Sequence, residues 1–180
     1  EAFEKVLDAL LIDRENDPNS KGTARRLAKM YYNEIMAGRY DPAPDATAFP
    51  NDSQDRYEGM LVVRSELRSM CSHHHQAILG KAHIAYFSAG KVVGLSKLNR
   101  IVDYYSRRPQ VQERLTNQIA EDLKEMLQTR DVAVIIDAEH LCVKSRGIRD
   151  PHSSTITSSF HGKFLNESTR HELMRYITMD

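Results

Sequence analysis

The residues best suited to chemistry in this 180-residue chain are concentrated at positions 71–75, which read Cys-Ser-His-His-His. A thiolate and an imidazole two or three residues apart can bind the same metal ion. A second thiol, Cys142, lies far along the chain, two residues after His140. Zn²⁺ accepts sulfur and nitrogen ligands, and three protein ligands leave its fourth position for water. These residues predict a zinc site of the catalytic kind.

Two plainer interpretations stay open at this point. Free cysteines in a cytosolic protein are most often small buried hydrophobic residues, and a run of histidines is often a solvated loop. Zinc deaminases also use Cys and His, but their signature needs a Pro-Cys-x-x-Cys pair. That pair is absent from the sequence, so the deaminase interpretation is excluded.

The elements that must position these residues are predicted to be strands. β-Branched residues run from Met60 towards Cys71, and Val132–Ile136 is the most strand-like run, leading into His140. Two further strands are predicted at Lys81–Ser88, bounded by Gly80 and Gly90, and at Ser153–Phe160.

Apolar residues at helical spacing predict five helices. Thr23 is the predicted N-cap of the second helix and Gly38 its end, and Pro109 separates the third helix from the fourth. The apolar positions that define the five helices fall within Phe3–Leu11, Leu27–Met36, Leu98–Tyr105, Val111–Leu127 and Glu167–Ile177.

One segment, Asp41–Gly59, is rich in Pro, Asp and Asn and has little periodicity, which is typical of a linker. We therefore expect an N-terminal helical segment and linker over residues 1–59 and a compact domain over residues 60–180. Strand pairs separated by two helices predict an α+β fold with a mostly antiparallel sheet.

The composition excludes several classes of protein. With 41% hydrophobic and 28% charged residues, it is that of an ordinary globular domain, neither collagen-like nor disordered. Because 25 basic residues balance 25 acidic ones, nothing in the net charge favours nucleic acid or anionic lipid as a partner. No apolar run approaches the roughly 20 residues of a membrane helix, and two cysteines are too few for a disulfide scaffold. We expect a cytoplasmic protein.

Four blocks of this sequence resemble those of the GTP cyclohydrolase I family, in the family's order and at similar spacing. Together they extend the resemblance over nearly the whole chain, and four independent blocks are far more specific than any one motif. The blocks are Cys71–His74, Gly94–Val102, Arg108–Leu115 and His140–Gly147.

The resemblance implies a fold, an assembly and an activity. The fold is the tunnelling fold, an antiparallel sheet with two long helices on one face, here preceded by the N-terminal helical segment, with residues 60–180 as the catalytic domain. The assembly is a homodecamer of two pentameric rings with active sites at subunit boundaries. The reaction converts GTP and water into formate and 7,8-dihydroneopterin triphosphate, the first step of folate and pterin synthesis.

The resemblance also implies a role for each site residue. Three residues are implied as ligands of Zn²⁺: Cys71, His74 and Cys142. Three are implied as catalytic, the proton carriers His73 and His140 and, with a share in binding the triphosphate, Ser96. Those implied to bind substrate are Gln112 and Glu113 at the guanine edge and Lys97, Arg100, Arg146, Arg26 and Lys29 at the triphosphate.

The residue types suit these roles. Zinc lowers the pKa of bound water from 15.7 to roughly 7, and histidine can give and take protons at that pH. A carboxylate such as that of Glu113 can accept both hydrogen bonds that guanine offers from its ring N–H and amino group, and adenine lacks that pair of donors. Taken singly, an ordinary exposed charge is the commoner interpretation of Glu113 and of each basic residue, and only the surrounding blocks favour a binding role.

Two positions depart from the family pattern. Ser72 stands where the family has Glu, and His75 stands where it has an apolar residue. A lost carboxylate can weaken metal affinity or activity by about 10–100-fold, and we expect His75 to reshape the rim of the pocket while the zinc ligands are retained. Two alternatives follow: a GTP-binding or regulatory relative without full turnover, or a zinc enzyme of the same fold acting on a related pterin or deazapurine.

Overall fold

The computed structural model of the chain describes residues 1–45, 47–52, 54 and 56–179. It is an α+β fold, as predicted. The helices are α1 (Ala2–Ala9), α2 (Thr23–Met30), α3 (Leu95–Ser106), α4 (Gln112–Leu127), α5 (Leu141–Lys144) and α6 (Glu167–Thr178). The strands are β1 (Ala48–Pro50), β2 (Met60–Cys71), β3 (Ala77–Phe87), β4 (Lys91–Val93), β5 (Pro109–Gln110), β6 (Val132–His140) and β7 (Thr155–Phe160).

The main sheet has the strand order β5-β2-β3-β6-β7. All of its pairs are antiparallel except that between β2 and the two-residue β5, which is parallel. The long β2–β3 hairpin forms its centre, and β1 and β4 form a separate two-stranded sheet. The predicted, mostly antiparallel sheet is confirmed.

The two long helices α3 and α4 pack on one face of this sheet, as predicted for the tunnelling fold. Alternate residues of β3 and β6, such as Ile84 and Val134, point into a fully buried core beneath these helices. Residues of the opposite parity, such as Ala85 and Ile135, face a smaller core that Phe164 and Leu173 of the C-terminal region cover. Both cysteines belong to the larger core.

Three details differ from the sequence-based expectations. β3 begins at Ala77 and runs straight through Gly80. A glycine is required there because a Cβ would overlap the carbonyl oxygen of Asp137 in β6. The N-cap of α2 is Gly22 in a left-handed conformation, and the Thr23 hydroxyl instead accepts a hydrogen bond from Arg26. The predicted linker contains β1.

The second predicted helix also changes character before Gly38. After α2 the chain forms a π-helical turn at Tyr31–Ile35 and a 3-10 turn at Ala37–Arg39. Gly38 is buried against the Tyr104 carbonyl of α3, where a side chain could not fit. No helix in the described ranges combines the length and the apolar character needed to cross a membrane.

Candidate metal centre

Cys71 is the last residue of β2, and the loop that follows is held by backbone hydrogen bonds. The Cys71 N–H donates to the Gln76 carbonyl, and its own carbonyl accepts from the His75 N–H, at 2.8 and 2.9 Å. His75 adopts φ +50°, the left-handed conformation that reverses the chain. The Ser72 N–H donates to the Gln110 carbonyl of β5. The loop therefore presents its side chains from a fixed backbone.

Cys142 reaches the same place from the other end of the chain. β6 pairs with β3 so that His140 lies opposite Ile78, and the short helix α5 then turns Cys142 towards Cys71. An ion pair of 2.9 Å between Lys144 and Glu139 ties the end of α5 back to β6. The pairing of two strands thus brings together cysteines that are distant in sequence.

The structure brings three of the predicted ligands together. One ligand atom from each of Cys71, His74 and Cys142 lies within 4.8 Å of the other two. The cysteines are 5% and 9% exposed, whereas His74 is exposed to solvent. His75 is not part of this group. The centre therefore has two buried sulfurs and one imidazole on its open side.

The donor set fits a tetrahedral metal ion. Zinc bond lengths of about 2.0–2.3 Å place tetrahedral ligand atoms about 3.3–3.8 Å apart. Because these atoms lie within 4.8 Å of one another, at most about 1.5 Å of closure separates them from that geometry. Burial raises the pKa of the Cys142 thiol, and the neighbouring Cys71 sulfur raises it further. A bound cation is what would stabilise the Cys142 sulfur as a thiolate.

Two further histidines accompany the metal ligands. The Nδ1 of His73 lies 3.8 Å from the Cys71 sulfur, and the His73 side chain is otherwise exposed. His140 is half-buried, and its Nε2 lies 2.7 Å from Oε1 of Gln112. Burial lowers the pKa of His140, and the charge of Glu113 opposes that shift.

Gln112 and Glu113 open α4 but have different surroundings. Gln112 is 1% exposed, and its side-chain amide is hydrogen-bonded to protein groups. Glu113 is exposed and has no hydrogen-bond or ion-pair partner in the part of the chain described. Of the two, Glu113 is the one free to accept hydrogen bonds from a ligand. The predicted contact of Gln112 with guanine stays a prediction.

The predicted triphosphate residues lie in three places. Arg146 follows α5, and its charge lowers the pKa of Cys142, against the effects of burial and of Cys71. Ser96, Lys97 and Arg100 occupy the first turns of α3.

The α3 residues lie at different distances along the helix from its end near β2. The Ser69 hydroxyl donates to the Ser106 carbonyl at 2.8 Å, so the C-terminal end of α3 lies beside the end of β2 that carries Cys71. At 1.5 Å per residue, Ser96, Lys97 and Arg100 are about 15, 14 and 9 Å from Ser106 along the helix axis. Within one chain, Ser96 and Lys97 therefore lie at the opposite end of α3 from the end beside β2.

Arg26 and Lys29 of α2 form the third place. They line a surface cavity with Thr23, Leu27, Met30 and Glu34, none of which belongs to the metal centre. The Arg26 guanidinium already donates to the Asn19 and Lys21 carbonyls and to Thr23.

Sequence reasoning missed the residues that hold Gln112. Thr155 and Thr157 of β7 bond to its amide, and the Thr116 and Thr157 hydroxyls lie 2.7 Å apart. The Ser/Thr-rich character of β7 is visible in the sequence, but these partners are more than forty residues from Gln112. Only the packing of α4 on β7 brings them together.

Comparisons with known proteins bear on the whole chain. The family model described as GTP cyclohydrolase I matches residues 1–178. A protein named GTP cyclohydrolase 1 from Flavobacterium johnsoniae is 50% identical over 178 residues, which cover 98% of this chain and 79% of the relative. The chain belongs to the GTP cyclohydrolase I family. The resemblance seen in the four sequence blocks is confirmed.

Other members of the family are similar over most of the chain. The GTP cyclohydrolase 1 of Wigglesworthia glossinidia brevipalpis is 46% identical, over 90% of this chain and 74% of the relative. The GTP cyclohydrolase 1 of Aeromonas salmonicida is 45% identical, over 94% of this chain and 78% of the relative. The solved structure of an apo archaeosine synthase QueF-Like protein covers 57% of this chain and 93% of its own, at 16% identity and a TM-score of 0.48, a likeness too weak to carry an argument.

Proposed function

We propose that this chain is a zinc-dependent GTP cyclohydrolase I, which converts GTP and water into formate and 7,8-dihydroneopterin triphosphate at the entry to folate and pterin synthesis. The observation that carries the proposal is the meeting of Cys71, His74 and Cys142 in a member of this family. A set of two thiols and one imidazole, open on one side and accompanied by His73 and His140, suits hydrolysis better than a purely structural metal site.

Zn²⁺ is the metal that this donor set favours, because thiolate and imidazole ligands suit zinc and three protein ligands leave one position free. When bound, zinc supplies Lewis acidity that makes water a competent nucleophile near neutral pH. Both ligand cysteines must remain reduced, which agrees with a cytoplasmic location.

Proton transfer falls to the two remaining histidines. Guanine C8 is a poor electrophile, so its hydration needs a proton delivered to the adjacent ring nitrogen, and opening of the ring and reclosure through the ribose need further transfers. His140 is held by Gln112 in a half-buried position, which suits transfer in a fixed direction. His73 lies beside Cys71 on the open side and can exchange protons with solvent.

Glu113 is proposed to select guanine. Its carboxylate has no partner within the described residues and stands close enough to His140 to affect the pKa of that ring. A carboxylate left without its two donors in a closed site costs free energy, so a base that lacks them is rejected.

The triphosphate is proposed to bind across a subunit boundary. Ser96, Lys97 and Arg100 lie about 15, 14 and 9 Å along α3 from Ser106, at the end near Cys71. The N–H groups of a helix start and the basic residues beside them suit phosphate. A neighbouring copy can supply its α3 start to this metal centre, as in the homodecamer of two pentamers that we propose. Residues 60–180 then act as the catalytic domain, and Arg26 and Lys29 of residues 1–59 serve a neighbouring site.

The test is a turnover assay paired with metal analysis. Protein freed of metal and reloaded anaerobically with one zinc per chain is expected to release formate from GTP and to form a fluorescent pterin after oxidation, with ATP giving neither. Stoichiometric zinc and bound GTP without formate would overturn the proposal in favour of a GTP-binding relative. Turnover of a pterin or deazapurine in place of GTP would overturn it in favour of another reaction on this fold.

A further inference from the structure

The side chain of Gln112 lies between the proton carrier His140 and the edge strand β7. It is 1% exposed, and its amide nitrogen lies 2.9 Å from the Thr155 carbonyl and 3.2 Å from the Ile136 carbonyl. Its amide oxygen lies 2.7 Å from Nε2 of His140. These partners determine which way the side-chain amide of Gln112 is turned.

The partners fix which end of the amide faces which group. The oxygens of Ile136 and Thr155 are backbone carbonyls, which can only accept hydrogen bonds, so the NH₂ group of Gln112 must face them. Turning the amide around would place its oxygen against two carbonyl oxygens with no donor between them. The oxygen of Gln112 therefore faces His140, and because that oxygen can only accept, Nε2 of His140 must carry the hydrogen.

We propose that Gln112 is a positioning residue that sets the tautomer of His140, so that in the neutral ring Nε2 carries the hydrogen and Nδ1 is the atom that exchanges protons with the substrate. This inference rests on the proposed function and adds to it the atom through which His140 acts. It also gives Gln112 a role other than gripping guanine, which is left to Glu113.

The surrounding contacts keep Gln112 in place. The Thr157 hydroxyl lies 3.2 Å from the amide nitrogen, and the Thr116 hydroxyl donates to the Gln112 carbonyl at 2.8 Å. Gln112 thereby joins three elements, α4, β6 and β7, around one imidazole. Such bracing holds a catalytic group within the small deviations that proton transfer tolerates.

The first experiment separates positioning from substrate binding. Gln112→Met keeps the length of the side chain but removes the acceptor, and we expect kcat to fall about 10–100-fold with KM for GTP and zinc content nearly unchanged. Gln112→Glu keeps an acceptor for Nε2–H and is expected to retain more of kcat than Gln112→Met. Gln118→Met, the same change six residues further along α4, is expected to leave kcat as it was.

A double variant tests whether Gln112 acts through His140. If it does, Gln112→Met has no further effect on the residual formate release of His140→Ala. A rise in KM that persists in the His140→Ala background would show that Gln112 contacts guanine, and would overturn the proposal.

A spectroscopic readout separates this inference from the proposed function. In histidine-selective ¹⁵N spectra of the zinc-loaded protein, the signals of His140 are those lost in His140→Ala, and at a pH where the ring is neutral we expect the Nε2–H tautomer. A mixture of tautomers in Gln112→Met would support the proposal, and the Nδ1–H tautomer in the unmodified protein would overturn it. Absence of pterin formation together with the Nε2–H tautomer would overturn the proposed function alone.

Discussion

Three consecutive histidines offer a sharp test of the metal centre, because only the middle one is placed as a ligand. His74 belongs with Cys71 and Cys142, whereas His73 and His75 of the same loop do not. His74→Ala is therefore expected to lose zinc affinity, and the neighbouring substitutions are expected to retain it.

The size of the loss follows from the number of ligands. Structural zinc sites with four protein ligands bind with about 10–16 kcal/mol, or about 2.5–4 kcal/mol for each ligand. Since about 1.4 kcal/mol is a tenfold change, removing one of three ligands is expected to weaken zinc binding about 10²–10³-fold. His74 is exposed, so its truncation changes the stability of the fold by about 0.5 kcal/mol or less.

The measurement is a zinc titration against a chelating indicator of known affinity, accompanied by urea unfolding of each variant. The matched controls are His73→Ala and His75→Asn. Asparagine is chosen at position 75 because the backbone there has φ +50°, which asparagine tolerates better than alanine. Both controls are expected to bind zinc within about threefold of the unmodified protein.

The reasoning would be refuted by either of two results. If His75→Asn lost more zinc affinity than His74→Ala, the third ligand would be His75. The loop between β2 and β3 would then have a conformation other than the one described. If all three variants bound zinc equally, the two cysteines would hold the ion with ligands from elsewhere.

The remaining predictions concern assembly, specificity and stability. Mixing His74→Ala subunits with Arg100→Ala subunits under conditions of exchange should restore activity at up to about a quarter of the sites, because each hybrid boundary can combine an intact metal centre with an intact α3. Glu113→Gln should raise KM for GTP about 10–100-fold without changing zinc content, measured by steady-state kinetics. Burial, aided by the charge of Arg64, lowers the pKa of His83, so the fold should lose stability as pH falls below about 6.5, the unfolded value. In thermal melts, the melting temperature of His83→Leu should fall less between pH 7.5 and pH 5.5 than that of the unmodified protein.

Each of these outcomes has a contrary result. Mixtures that stay inactive after verified subunit exchange would place the whole site within one chain. A Glu113→Gln variant with unchanged KM would remove Glu113 from guanine recognition. Equal pH dependence of the melting temperature in His83→Leu and the unmodified protein would mean that His83 takes up its proton as readily when folded as when unfolded.

The sequence predicts most of the framework because its local patterns agree with the fold. Helical spacing of apolar residues located α3 and α4, and β-branched runs located β2 and β6. The cysteine-histidine cluster located the metal centre, since ligand chemistry restricts which residue types can take part.

What the sequence could not supply arises from contacts between distant segments. Gly80 has the local appearance of a strand boundary, yet it lies inside β3. It is a glycine because β6 approaches this position too closely for a side chain. Gln112 in sequence is a polar residue next to Glu113, and only the position of β7 shows that its amide is turned towards protein. The separation of Ser96 from Cys71 likewise depends on the direction in which α3 crosses the sheet.

The contrast between the two buried sulfurs and the exposed imidazole of the metal centre bears on how the ion is acquired. Both cysteines belong to a large apolar core, so we expect apolar burial rather than a cation to supply most of the folding free energy, in contrast to the smallest zinc domains. We therefore expect a metal ion to enter the folded chain from the solvent side, where His74 lies, and to leave by the same route.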